Sequence, residues 1–209
     1  LFSKGPLMSN VISGRSARRG SGAREILLAC AAGLVLAPVG RAADTAWTGA
    51  TGSAWGTSGN WSNGVPNSGV NAQLLSGQPN TTITLTGSND ANQLQVWNGA
   101  SYTLTAAAPA TLTLADQLYL FSNPAASGLN IGGALAVVAP NGSIGTGTGD
   151  VGGTLTVGGG TSSVSIANTF NVGYDGVNNI LDVQSGGTLT AKDLILGTVA
   201  TASNNAIMV

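Results

Sequence analysis

The 209-residue chain contains no histidine and a single cysteine, Cys30. Without histidine, it lacks the commonest general base and the commonest metal ligand of proteins. One cysteine can form neither an intramolecular disulfide nor a cysteine-based zinc site. These two absences exclude a disulfide scaffold and the usual nucleophile–histidine triads.

Cationic side chains are scarce after the first 42 residues. Lys192 is the only lysine or arginine beyond Ala42, and seven aspartates share that part of the chain. A surface with so few cations cannot neutralise a phosphate backbone, and an anionic lipid surface does not attract it. We therefore expect no nucleic-acid partner and no membrane insertion by the mature segment.

Long apolar runs are also missing, with one exception near the N-terminus. Residues 26–39 are apolar, four arginines precede them, and small residues follow at Gly40 and Ala42. This order is typical of a secretory signal peptide, predicted over residues 1–42 with cleavage after Ala42 or Ala43. An uncleaved membrane anchor and a lipoprotein signal ending at Cys30 are the alternatives. We expect an exported protein, by the general or the twin-arginine route.

After Ala43 no stretch has a helical period with caps, and short strands dominate instead. Apolar residues recur in pairs two positions apart, as a strand with one buried face requires. The pairs predicted to point inward are Ile83 and Leu85, Leu94 and Val96, Tyr102 and Leu104, Leu112 and Leu114, Leu118 and Leu120, Leu129 and Ile131, Leu135 and Val137, and Leu181 and Val183.

Two segments of the chain are echoed further along it at one constant offset. Residues 178–183 (NNILDV) return at 204–209 (NNAIMV), and residues 129–133 (LNIGG) return at 155–159 (LTVGG), so the offset is 26 in both cases. A period of this length indicates stacked repeats. We predict an all-β, right-handed parallel β-helix (β-solenoid) over residues 81–209, with about five coils of roughly 24 to 26 residues. An antiparallel sandwich is the alternative, but it requires no such echo. Because the last strand has no polar cap, we expect the repeats to continue beyond Val209.

Residues 43–80 differ from the repeats because they hold three of the four tryptophans. We predict that this segment is a Trp-rich N-terminal cap, which covers the open end of the solenoid and shields its strand edges. The alternative is that exposed tryptophan rings stack on sugars. The glycan-stacking candidates are Trp47, Trp55, Trp61 and Trp97.

Several motifs resemble those of a known family. They are WTG at 47–49, GNW at 59–61, GVPNSG at 64–69, GGTLT at 152–156 and 186–190, and FNVGY at 170–174. Together they resemble secreted bacterial proteins built from autotransporter-associated β-strand repeats, and the related repeats of proteins with a C-terminal sorting signal. The resemblance implies a β-helical passenger or a surface-exposed stalk, located outside the cell or on the outer-membrane surface of a bacterium.

Acidic residues give weak support for catalysis. Asp175, Asp182 and Asp193 form the only dense acidic group. Asp182 alternates outward in its strand and Asp193 directly precedes a strand, so both positions suit a solvated face or a turn. A glycosidase needs two carboxylates that face each other across a sugar. We therefore expect no enzyme, no catalytic residue, no metal and no cofactor in this segment.

The leading hypothesis is a structural or adhesive surface solenoid whose partners are surface glycans or other cell-surface proteins. The alternatives are a carbohydrate-binding module and an accessory part of a polysaccharide-active enzyme.

Overall fold

A computed structural model describes residues 42–209, so the predicted signal peptide, apart from Ala42, lies outside the described residues. The described part is all-β, with one short 3-10 helix at Ser58–Asn60 and no α-helix. Its strands are β1 Ala43–Ala46, β2 Val70–Leu74, β3 Thr82–Thr84, β4 Gly87–Val96, β5 Ser101–Leu120, β6 Gly128–Ala139, β7 Asn141–Ile144, β8 Thr154–Gly160, β9 Ser163–Val172, β10 Ile180–Val183, β11 Thr188–Leu196 and β12 Ala206–Met208.

All pairs between these strands are parallel, and each strand pairs with its equivalent one turn further along the chain. The long strands bend at corners, so one turn has three flat faces. β5 shows them all: residues 101–106 lie on the first face, 110–114 on the second and 117–120 on the third. The result is a β-solenoid of about seven turns, and the predicted parallel β-helix is confirmed.

The echo in the sequence is the register of the first face. Leu129 pairs with Leu155, Leu155 with Leu181, and Leu181 with Ile207, so the same offset of 26 recurs at every step. Since each of these side chains lies directly above its equivalent, they form an apolar ladder inside the solenoid. The 26-residue repeat in the sequence is therefore the number of residues in one coil along this face.

The stack of coils begins earlier in the chain than the sequence indicates, and the coils vary in length more than the predicted range of roughly 24 to 26 residues. β1 already pairs with β2 and β2 with β4, so the parallel sheet begins at Ala43 and not at residue 81. The offset in residue number between stacked partners is 21 from Ile83 to Leu104 and 28 from Gly142 to Phe170. Corners absorb the difference, because a loop between strands can lengthen without disturbing the ladder.

The interior is filled by the predicted inward-facing residues. From Ile83 to Val137 every residue of the predicted pairs is buried, as is Leu181, whereas Val183 is half-buried. Large and small side chains complement each other between coils. Phe170 is fully buried above Gly142, where a Cβ atom would lie 2.3 Å from the phenyl ring. Gly142 is thus required by the ring packed against it.

Three tryptophans form the core of the N-terminal end. The Trp61 ring makes edge-on contacts with Trp47 and Trp55, at centroid distances of 5.1 and 4.8 Å. The Trp55 backbone N–H donates to the Thr84 carbonyl, so the loop after β1 runs alongside the first face. The predicted Trp-rich cap therefore has a structural basis in this cluster.

Paired asparagines explain the other part of the echo. Asn178 and Asn204 adopt left-handed backbone conformations, with φ of 57° and 54°, which asparagine tolerates better than most residues. The next residue, Asn179, is buried and accepts a hydrogen bond from the Gly153 N–H at 2.9 Å. It also donates from Nδ2 to Oδ1 of Asn205 at 3.0 Å. The asparagines thus form a hydrogen-bonded ladder that joins three coils at one corner.

We expect Asn179→Ala to lower the free energy of unfolding by about 1 to 3 kcal/mol, because the buried Gly153 N–H loses its acceptor. Urea denaturation followed by circular dichroism measures this loss. Asn178→Gly is the matched control, since glycine suits a positive φ, and we expect it to change stability little. A silent Asn179→Ala variant would show that the ladder does not stabilise the corner.

Candidate functional site

The third face carries a row of uncharged polar side chains on its outer side. Successive coils place Gln73, Gln95, Tyr119, Ser143 and Asn171 in register at one position. Neighbouring strands lie about 4.8 Å apart, so these side chains form a continuous row parallel to the solenoid axis. They project outward because the residues beside them in each strand fill the core.

Aromatic rings border this row where the third-face strands of two coils end. Trp97 and Phe121 occupy equivalent positions, and their rings stack with centroids 4.3 Å apart and an interplanar angle of 16°. Tyr119 stacks on Phe121 with centroids 5.1 Å apart and an angle of 29°. All three rings are half-buried, so they form one apolar patch that solvent can reach.

The glutamines are held in place by a chain of hydrogen bonds. Gln73 Nε2 and Trp97 Nε1 both donate to Gln95 Oε1, each at 3.2 Å. Gln95 Nε2 donates to Gln93 Oε1, and Gln93 Nε2 donates to the Asp116 carboxylate. Since the chain ends on a charged acceptor, the direction of every amide in it is fixed. The amides are therefore ordered before any ligand arrives.

These side chains line a groove of about 500 Å³ along the third face. No lining residue carries a formal charge. The lining residues are Gln73, Gln93, Gln95, Trp97, Gln117, Tyr119, Phe121, Ser143, Thr146, Asn171 and Tyr174. Amides and hydroxyls both donate and accept hydrogen bonds, so the groove combines adaptable polar groups with an apolar patch.

Ser143 occupies the floor of this groove with its hydroxyl unsatisfied. The residue is 2% exposed, and its Oγ makes no hydrogen bond with any part of residues 42–209. A buried polar group without a partner costs about 1 to 3 kcal/mol, and native structures contain few of them. Ser143 thus holds an unpaired donor and acceptor just beneath the groove surface where the groove crosses the middle coils, with less than 1 Å² of its Oγ exposed.

Tyr119 carries a protonated phenol at neutral pH. Partial burial raises the pKa of Tyr119 above its ordinary value of about 10, and the nearby Asp116 carboxylate raises it further. The side chain therefore offers an O–H donor beside its ring. It adds a polar contact to the aromatic patch.

Only one of the four predicted glycan-stacking tryptophans lies in the groove. Trp47, Trp55 and Trp61 are 0%, 1% and 4% exposed in the cap, so their rings offer no face to a sugar. Hydrophobic burial explains the difference, because the three rings pack together as part of the core. Trp97 lies outside this cluster, against Phe121.

The acidic residues do not form a shared site. Asp175 accepts hydrogen bonds from Thr148 and Thr201, which lower its pKa, and these threonines belong to the coils on either side. Asp182 accepts from its neighbour Gln184 at 2.7 Å. Within residues 42–209, no group of three or more acidic or cysteine side chains is arranged to hold a metal ion.

Sequence reasoning missed most of the groove, although a signal existed. Residues 93–97 read QLQVW and residues 117–121 read QLYLF, which is a second echo at a spacing of 24. The pairing of Gln93 with Gln117 shows that this echo is the coil repeat of the third face. This echo covers two coils only, so it indicates the segments 93–97 and 117–121 but not the rest of the groove.

Comparison with known proteins adds no relative. No family model, no curated protein and no solved structure matches the chain. Within the described part of the chain, no helix is long and apolar enough to cross a membrane.

Proposed function

We propose that this protein is a non-enzymatic, exported β-solenoid that attaches to surfaces through its third face. The observation that carries the proposal is the uncharged groove of amides and aromatic rings on the outside of the solenoid. Its amides are already ordered, so binding a partner costs less conformational entropy than binding through mobile side chains. The stacked coils act as a rigid stalk that holds this face.

Export is the part of the proposal that rests on the N-terminal sequence alone. The arginines, the apolar run at 26–39 and the small residues at Gly40 and Ala42 support secretion. A surface location suits an adhesive stalk. Expressing the full chain in a Gram-negative bacterium and sequencing the N-terminus of the exported product tests cleavage after Ala42 or Ala43.

The acidic groups support a non-catalytic role. A general acid at neutral pH needs a raised pKa, whereas the threonine hydrogen bonds hold the pKa of Asp175 below its ordinary range. Asp116, beside the groove, is already engaged by Gln93. We assign these carboxylates to holding neighbouring side chains in position.

Attachment can be measured with beads that carry the exported protein, under flow over immobilised bacterial cells and over serum albumin. We expect retention on cells and release from albumin. Asn171→Glu places a charge in the groove and should reduce retention several-fold. Asn130→Glu places the same charge on the outer side of the first face and should leave retention unchanged. Equal retention of both variants, or equal retention on both surfaces, would refute attachment through the third face.

A further inference from the structure

We propose that the groove on the third face binds an uncharged polysaccharide chain that lies parallel to the solenoid axis. This inference rests on the proposed attachment function and names the partner of the same groove. Four observations carry it: the neutral lining, the aromatic patch, the ordered amides and the unsatisfied hydroxyl of Ser143.

The absence of formal charge in the groove lining indicates the class of ligand that the groove can bind. All its lining residues are neutral, and Lys192 is the only lysine or arginine side chain among residues 42–209. A polyanion such as a polyuronate would lose hydration in the groove without gaining a counter-charge. A polycation would find the Asp116 carboxylate already bound by Gln93. A neutral ligand has no charge to desolvate in the groove and needs no oppositely charged partner there.

The mixture of ring and amide side chains matches the two kinds of surface on a sugar ring. The C–H groups of the ring form an apolar face, which packs on the patch made by Trp97, Phe121 and Tyr119. Sugar hydroxyls both donate and accept, as do the amides of Gln73, Gln95 and the other side chains in the row. A peptide ligand would instead gain affinity from an open strand edge, and the third-face strands are already paired on both sides through the middle coils.

Among residues 42–209, Ser143 is one of three buried side chains with an unpaired polar atom, together with Trp55 and Ser122, and it is the one that lines the groove. Its neighbours in the outward row, Tyr119 and Asn171, flank it in register, yet its hydroxyl has no partner in residues 42–209. A sugar hydroxyl that enters between these two side chains would satisfy it. The same residue then contributes to affinity while contributing nothing to stability.

The repeat of the groove sets the direction and the minimum size of the ligand. The outward row spans five coils from Gln73 to Asn171, which is roughly 19 Å at the spacing of neighbouring strands. Every coil contributes an uncharged side chain that can form hydrogen bonds at this position, so a polymer can make polar contacts along the whole row. A chain of several sugars fits this groove better than a single sugar.

Affinity gel electrophoresis and isothermal titration calorimetry of the full chain test the inference. The probes are neutral hydroxyethyl cellulose, galactomannan and dextran, and the anionic polymer polygalacturonate. We expect at least one neutral polymer to bind and polygalacturonate not to bind. Preferential binding of polygalacturonate, or no binding to any neutral polymer, would overturn the inference.

Variants locate the site. Trp97→Ala should weaken binding of that neutral polymer at least about ten-fold, and Ser143→Ala about three- to ten-fold, whereas the first-face control Asn130→Ala should bind like the parent chain. Ser143→Ala also separates binding from folding, because removing an unsatisfied hydroxyl should leave the unfolding midpoint unchanged or raise it. If Trp97→Ala fails to fold, Ser143→Ala and Tyr119→Phe still test the groove. Unchanged affinity in the folded groove variants would place the ligand elsewhere and overturn the inference.

The two proposals can fail separately. Beads that attach to cells through the third face, while no neutral polymer binds, would refute the polysaccharide but not the attachment. Binding of a neutral polymer that groove variants do not weaken would refute the site assigned here.

Discussion

Replacing Ile131 with aspartate is expected to unfold the middle of the solenoid, with a loss of at least about 4 kcal/mol. Ile131 is fully buried, and the ladder places it between Leu104 and Val157. A carboxylate at this position would be desolvated with no cation beside it. Because each coil is stabilised mainly by its two neighbours, a defect in a central coil weakens two interfaces at once.

Urea denaturation followed by far-ultraviolet circular dichroism measures this effect. Asn130→Asp is the matched control, since the same charge is introduced one position away on the exposed outer side of the strand. We expect the control to change the free energy of unfolding by no more than about 0.5 kcal/mol. Similar losses in both variants would mean that the inward and outward assignment of this strand is wrong.

Trp61→Ala has the second largest expected effect, a loss of about 3 to 5 kcal/mol. Its ring fills the space between Trp47 and Trp55, and its Nε1 donates to the Trp55 carbonyl at 2.7 Å. Truncation therefore opens a cavity in the cap and leaves a buried carbonyl without its donor. We expect the N-terminal coils to become accessible first, since the cap covers their end.

Hydrogen exchange followed by mass spectrometry can detect which coils of the Trp61→Ala variant open first. We expect β1 and β2 to lose protection before β8. Trp97→Ala removes the same side chain from the outer surface, where it stacks on Phe121 and is half-buried. We expect that variant to lose only about 1 to 2 kcal/mol. If Trp97→Ala lowered the free energy of unfolding more than Trp61→Ala, the assignment of Trp61 to the cap core and of Trp97 to the groove surface would be wrong.

The core of the solenoid could be predicted because its signal is local and repetitive. A constant offset of 26 relates Leu129, Leu155, Leu181 and Ile207. Each has a neighbour two positions on, and strand geometry allows only one face for such pairs. The start of the stack could not be predicted in the same way. β1 has the sequence Ala-Asp-Thr-Ala, without a strong apolar pattern, and pairing with β2 makes it a strand.

The candidate site depended on contacts that no local pattern specifies. Trp61 and Trp97 are each followed by a polar residue and lie among polar and glycine residues as well as apolar ones, yet one is in the cap core and the other borders the groove. Ser143 is one of many serines in the sequence, and only the packing of the neighbouring coils leaves its hydroxyl buried and unpaired. Such differences arise from side chains that are distant in sequence.

By itself, the sequence determined that this protein is a stack of parallel β-coils, because the spacing of apolar residues and their regular echo permit few other ways to bury them. The tertiary structure alone decided which tryptophans are hidden, where the stack begins and which outer face forms a groove. The offset between stacked partners ranges from 21 to 28, so the alignment of outward side chains depends on how each corner folds. The regular spacing of apolar residues along the chain specifies the core. The groove depends instead on which residues of neighbouring coils are paired in register.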